Sequence, residues 1–81
     1  MTESEVRARL QTVFRSVFDN DSIVLADEMT ANDVDGWDSL THVDLIVGAE
    51  KAFAVKLATK DVKRLANVGD FVKLLTLKIG G

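Results

Sequence analysis

Val6, Leu10, Val13, Phe14, Val17 and Phe18 return every three or four positions, the spacing that gathers apolar side chains on one face of an α-helix. Thr2 and Glu5, three apart at the head of this run, fit a capping box that satisfies the first free backbone N–H groups. The opposite face is polar and charged, carrying Arg7, Gln11 and Arg15, so the helix is expected on the surface with one buried stripe. Periodicity then stops. Residues 19–38 collect Asp, Asn and Gly and read as one long connection. Connections of this length in small domains are functional or held down by their own apolar residues, here Ile23, Val24, Leu25, Met29 and Trp37. A short turn is expected near Thr30 to Asp33.

The helical period resumes at Asp38 or Ser39, either of which is a good N-cap, and Leu40, Val43, Ile46, Val47 and Phe53 mark the apolar positions of a second helix ending near Phe53. Thr59 can cap a short third helix running to Arg64. Asn67, with Asp70 three residues on, can cap a fourth that turns Val68, Phe71, Val72 and Leu75 inward and ends at Gly80 and Gly81. There is no proline, no repeat and no alternating apolar pattern of strand type. The expected fold is all-α, a small four-helix bundle of three main helices and one short one, with a long loop between the first two. One domain over residues 1–81 is expected at this length.

Composition sharpens this picture. With 47% hydrophobic residues and no cysteine, packing alone must hold the bundle. At about 0.05–0.15 kcal/mol per residue, 81 residues are stable by on the order of 4–12 kcal/mol. The net charge of −3 hides a lopsided distribution. Nine acids (Asp19, Asp21, Asp27, Glu28, Asp33, Asp35, Asp38, Asp44, Glu50) lie between residues 19 and 50 without one Lys or Arg, whereas seven basic residues face only Asp61 and Asp70 after residue 50. An acidic surface repels nucleic acid and attracts basic protein patches. The first twenty residues carry Glu3, Glu5, Arg7 and Arg9 and have no signal-peptide core, and no later run approaches membrane-spanning length, so the expectation is a cytoplasmic chain without stable membrane insertion, monomeric by default.

Candidate chemistry is sparse. Placing Gly36 at the sixth position of a calcium loop puts Ala31 and His42 where carboxylates are required, so that reading fails. His42 is the only histidine, has no ligand-spaced partner and reads as a lone surface residue. No phosphate-binding glycine loop, zinc spacing or catalytic set is present, so neither a metal site nor a stand-alone enzyme is expected. What remains is Gly36-Trp37-Asp38-Ser39-Leu40, a glycine and an acid leading into a serine at the head of an amphipathic helix. Taken alone, Ser39 is an ordinary N-cap. Together with the length, the order of helices and the Asp38-Ser39-Leu40 signature, the chain resembles the acyl carrier protein family over nearly its whole length.

That resemblance implies that Ser39 is esterified by 4′-phosphopantetheine from coenzyme A and that the thiol of this arm carries an acyl thioester. A helix N-terminus tolerates a phosphodiester well. The resemblance makes Asp38 the acid read by a Mg²⁺-dependent phosphopantetheinyl transferase, a role compatible with capping. The resemblance implies that Leu40 packs at the attachment site or contacts the transferase; without it, Leu40 is simply the first core residue of the helix. Thr41, Asp44, Val47, Gly48 and Glu50 are expected on the outer face, where carriers meet acyl-loading and acyl-processing enzymes; Val47 fits equally a peripheral core position. Trp37 reads as a loop anchor more readily than as a partner contact. It stands where peptidyl carriers usually have a second glycine, which favours acyl cargo. Lys56, Lys60, Lys63 and Arg64 make the third helical region basic, unlike the acidic pattern of bacterial fatty-acid carriers, which points to a specialised pathway such as polyketide or lipid-decorating synthesis. Ile46, Leu57 and Leu65 are candidates to line a cavity for the acyl chain. The competing reading is an unmodified helical module that binds a basic partner through its acidic second helix.

Overall fold

The computed structural model describes residues 2–63 and 65–80. Four helices follow in order: α1 Glu3–Val17, α2 Ser39–Phe53, α3 Thr59–Val62 and α4 Val68–Gly80, and there is no strand among the described residues. α3 stops at Val62, with Lys63 in a turn, short of the expected end at Arg64; Arg64 itself and Gly81 lie outside the described residues. The capping box at the head of α1 forms as its sequence predicts, with Glu5 N–H donating to Thr2 Oγ1 and Thr2 N–H donating to the Glu5 carboxylate. Asn67 Oδ1 likewise accepts from Asp70 N–H at the start of α4.

α1 packs against both α2 and α4. Val6, Leu10 and Phe14 from α1, Leu45 and Ala49 from α2, and Val68, Phe71, Val72 and Leu75 from α4 share one buried core. Phe14 sits at its centre, its ring within 5.8 Å of Phe18, 5.2 Å of Trp37 and 6.4 Å of Phe71 between centroids.

The polar face of α1 has a role that its pattern does not show, and the expected faces of α2 need correction. On α1, the Arg7, Gln11 and Arg15 face is not given over to water. Spaced four residues apart, these side chains line up along the helix and grip the long loop. Arg7 pairs with Asp27 at 2.7 Å, Gln11 Oε1 accepts from Leu25 N–H at 3.0 Å, and Arg15 Nε donates to the Ile23 carbonyl at 2.8 Å. The start of α4 holds the same segment from its other end, through Gly69 N–H to the Asp27 carbonyl and Val68 N–H to the Met29 carbonyl, both 2.9 Å. These are backbone donors that the first turn of a helix leaves unpaired. Ile23, Leu25 and Val34 are buried beneath, Met29 and Trp37 pack against the core, and the Thr30–Asp33 turn forms. Val24, expected as an anchor, points outward and is 69% exposed. Alternation along an extended segment turns it away while its neighbours turn in.

On α2, the buried positions are Leu45, Ile46, Ala49 and Phe53. Leu40, Val43 and Val47 are exposed by 79, 59 and 43%. At 100° per residue they fall on the side opposite the core, so the helix is apolar on two faces that the linear pattern merges into one. Gly48 fixes this rotation. A Cβ built there would stand 2.9 Å from Val13 Cγ1, so Gly48 faces α1, not the outside as expected, and lets the two helices approach closely.

The α2–α3 connection is tied down at several points. Ala54 ends α2 in the left-handed conformation, Glu50 Oε2 accepts from Leu57 N–H at 3.0 Å, and Lys78 on α4 pairs with Asp61 on α3 at 3.2 Å. That lysine bond holds the Asp61 carboxyl below its usual pKa.

Candidate functional site

The long loop delivers the chain to α2 through Gly36, whose φ of 87° suits a residue without Cβ. Its carbonyl accepts from the Thr41 hydroxyl at 2.7 Å, while Thr41 Oγ1 accepts from Asp38 N–H at 2.8 Å. Asp38 Oδ1 in turn accepts from the N–H groups of Leu40 and Thr41 at 2.9 and 3.0 Å. Asp38 and Thr41 therefore cap α2 reciprocally, and His42 N–H to the Asp38 carbonyl, at 2.9 Å, is the first helical bond. The N–H groups of Thr41 and Leu40 hold the Asp38 carboxyl below its usual pKa, so it is ionised at neutral pH.

This cap leaves Ser39 with nothing to hold. It is the first residue of α2, it is exposed, and among the described residues no hydrogen bond engages its hydroxyl or its N–H. A nucleophilic hydroxyl and a free backbone donor thus share the positive end of a 15-residue helix. These are the features that an ester-linked phosphate group needs: an accessible oxygen, an N–H within reach of a phosphate oxygen, and no local bond to break.

The residues expected around Ser39 divide. Leu40 and Val47 join Val43 in an exposed apolar strip, with Asp44 exposed beside it. Leu40 is therefore not a core residue. Thr41 and Glu50 are only half-exposed, and each is engaged inside the protein, Thr41 in the cap and Glu50 on Leu57 N–H. The acyl cavity expected from Ile46, Leu57 and Leu65 is split. Ile46 and Leu57 line an apolar cleft of about 190 Å3 with His42, Val43, Val47 and Val62, whereas Leu65 lines a wider cleft of about 760 Å3 that includes Trp37, Asp38, Ser39, His42 and Lys63. Among the described residues no acidic or histidine cluster can hold a metal ion, and no helix is long and apolar enough to cross a membrane.

His42 is not a lone surface residue. It is half-buried, its ring lies nearly parallel to that of Trp37, with 15° between planes and 6.1 Å between centroids, and its Nδ1 accepts from the indole N–H at 3.1 Å. The pair joins a loop residue to the second turn of α2, a contact for which helical spacing gives no signal. Burial lowers the His42 pKa below its usual 6.5. Because the folded value lies below the unfolded one, this contribution to stability is present above about pH 6.5 and is lost as pH falls through the folded value. A protonated Nδ1 cannot accept from the indole. The His42 ring carbons are expected to titrate with a midpoint below 6.5, and the Trp37 indole N–H resonance to move with the same midpoint. An indole resonance indifferent to His42 titration contradicts the pairing.

Comparison with known proteins places this geometry. The chain is 45% identical to the holo acyl carrier protein from Geobacter metallireducens, whose solution NMR structure superposes with a TM-score of 0.87 over 93% of this chain and 86% of that one. It is 42% identical over 53 residues to an acyl carrier protein of Kineococcus radiotolerans, covering 65% of this chain and 64% of that protein, so the match spans a little under two thirds of that relative. An acyl carrier protein of Thermotoga maritima is 28% identical over 79 residues, 98% of each chain. No family model matches the sequence.

Proposed function

The chain belongs to the acyl carrier protein family, and on that premise we propose that Ser39 is the attachment point of a 4′-phosphopantetheine arm from which this protein presents acyl groups to other enzymes. The observation that carries the reading is the free Ser39 hydroxyl at a helix start capped by Asp38. When bound, the group supplies a thiol that holds the acyl cargo as a thioester. The chain's own residues do the rest. Asp38 and Thr41 fix the helix end, Gly36 sets the turn that exposes it, and Ser39 N–H is available to a phosphate oxygen.

No side chain of the protein makes or breaks bonds in the cargo. Its contribution is tethering, which raises the effective concentration of cargo at each docked enzyme. The partners are a phosphopantetheinyl transferase and enzymes that load and process the acyl group. Leu40, Val43 and Val47 offer them an apolar strip, and Asp44 and Asp38 give it an acidic border. Such a strip suits a partner with an apolar centre and a basic rim. Lys56, Lys60 and Lys63 are exposed on the α3 side, and this second, basic surface supports service in a specialised pathway over the housekeeping fatty-acid cycle.

The test is to incubate the purified chain with coenzyme A, Mg²⁺ and a broad phosphopantetheinyl transferase and to measure its intact mass. One added phosphopantetheine is expected on the wild-type chain and none on Ser39→Ala. If several transferases leave the wild-type mass unchanged, the carrier reading is abandoned in favour of the unmodified interaction module.

A further inference from the structure

The cleft beside Ser39 is bordered by one lysine among the described residues, Lys63, in the turn that ends α3; Asp38 and His42 are the other titratable groups lining it. Lys56 and Lys60 line neither this cleft nor the one along Ile46 and Leu57. Lys63 is exposed and, among the described residues, pairs with no acid. The acids nearest to it in sequence are engaged elsewhere, Asp61 by Lys78 at 3.2 Å and Asp70 by the Ala66 N–H at 3.2 Å. Across the cleft, the N-terminus of α2 is largely spent on Asp38. Its Oδ1 takes the Leu40 and Thr41 N–H groups, so a carboxylate already occupies the positive end of the helix. A phosphodiester on Ser39 adds a second, permanent negative charge one residue away, and like charges this close repel. The Ser39 N–H is the backbone donor left to it.

We propose that Lys63 is a positioning residue for the arm: its ammonium pairs with the phosphodiester on Ser39 across this cleft and turns the arm, as it leaves α2, toward the α3–α4 connection and away from the strip of Leu40, Val43 and Val47. The proposal rests on the carrier reading of Ser39. Lysine suits this task, because an ammonium on a flexible stem meets a phosphate as a point charge and needs no fixed geometry. The charges at this end of the molecule then balance, with Asp38 matched by the helix N-terminus and the phosphodiester by Lys63. The pair biases the arm and does not lock it. An ion pair in water gains little and is screened by salt, so a partner that docks on the α2 strip breaks it at small cost. Of the described basic residues that set the third helical region apart, Lys63 is the one that the fold brings to the Ser39 cleft.

The test transfers the arm from coenzyme A to the full chain, verifies it by intact mass, and compares the phosphorus-31 resonance of the wild type with those of Lys63→Gln, Lys63→Arg and Lys60→Gln at neutral pH. Lys63→Gln is expected to move the resonance from its wild-type position. Lys63→Arg, which keeps a cation, is expected to restore it, and Lys60→Gln to leave it unchanged. Raising the salt to about 1 M, where the screening length is about 3 Å, is expected to shrink the difference between the wild type and Lys63→Gln. Arm attachment to the wild-type chain is expected to shift the Lys63 Cε resonance and to leave those of Lys56 and Lys60 in place. Lys63 is exposed, so its variants are expected to fold, and the methyl resonances of Leu10, Leu45 and Leu75 verify that they do. A phosphorus resonance that ignores Lys63→Gln, that Lys63→Arg does not restore, or that responds equally to Lys60→Gln overturns the pairing and leaves the carrier reading standing. A chain that accepts no arm on Ser39 brings down the carrier reading, and the pairing with it.

Discussion

Phe14→Ala is expected to remove a large share of the stability of this protein. Its ring is fully buried and touches Phe18, Trp37 and Phe71, so it joins α1, the end of the long loop and α4. Truncating a buried phenylalanine costs about 3–5 kcal/mol, through lost transfer free energy and the cavity left behind. The whole domain is stable by only about 4–12 kcal/mol at its length. Urea unfolding followed by far-ultraviolet circular dichroism is expected to show a large drop in midpoint, with a substantial unfolded fraction in buffer if the wild-type stability lies at the lower end of that range. The remaining folded population is expected to show a displaced Trp37 indole resonance, because the edge-on contact that supports the indole is gone. A midpoint within error of the wild type contradicts the central placement of this ring.

Leu40→Asp is expected to do the reverse, leaving stability alone and removing function. The side chain is exposed, one residue from Ser39, and it makes no contribution to the core. Surface substitutions of this kind stay within about 0.5 kcal/mol of neutral. An exposed apolar anchor beside the reacting group is a natural hot spot, and its loss costs about 2 kcal/mol or more in binding a partner, roughly 30-fold in kcat/KM for modification by a phosphopantetheinyl transferase. Val24→Asp is the control, since Val24 is nearly as exposed but lies on the loop. It is expected to leave the modification rate unchanged. If both variants lose the same activity, generalised charge repulsion explains the loss and the strip on α2 is not the contact.

Much of this architecture was legible because periodicity and caps are local signals. The buried face of α1, its Thr2–Glu5 capping box and the Asn67–Asp70 start of α4 each lie within a few residues of sequence, and each forms as its pattern predicts. α2 was only half legible. Apolar residues mark positions that avoid water in some complex or core, and the linear pattern does not say which. Val43 looked like core because it shares helical spacing with Ile46, and Leu40 and Val47 fitted either side; the approach of Val13 to Gly48 sets the rotation that sends all three outward. The Trp37–His42 bond and the grip of Arg7, Gln11 and Arg15 on the loop were illegible for a related reason. Both join a helix to a segment without period, and a long polar side chain on a helix surface reads the same whether it meets water or another stretch of backbone.

That grip has a consequence for how the loop can be altered. Gln11 and Arg15 bind the Leu25 N–H and the Ile23 carbonyl, and the start of α4 binds the carbonyls of Asp27 and Met29. Except at Asp27, where Arg7 needs the carboxylate, these contacts read main-chain atoms and are blind to side-chain identity. The path of the loop is therefore insulated from drift at its outward positions. In a chain without cysteine, Val24→Cys would introduce the one cysteine, to be labelled with a fluorophore or spin label before Ser39 receives its thiol-bearing arm, on a segment clamped at both ends and away from the Leu40 strip.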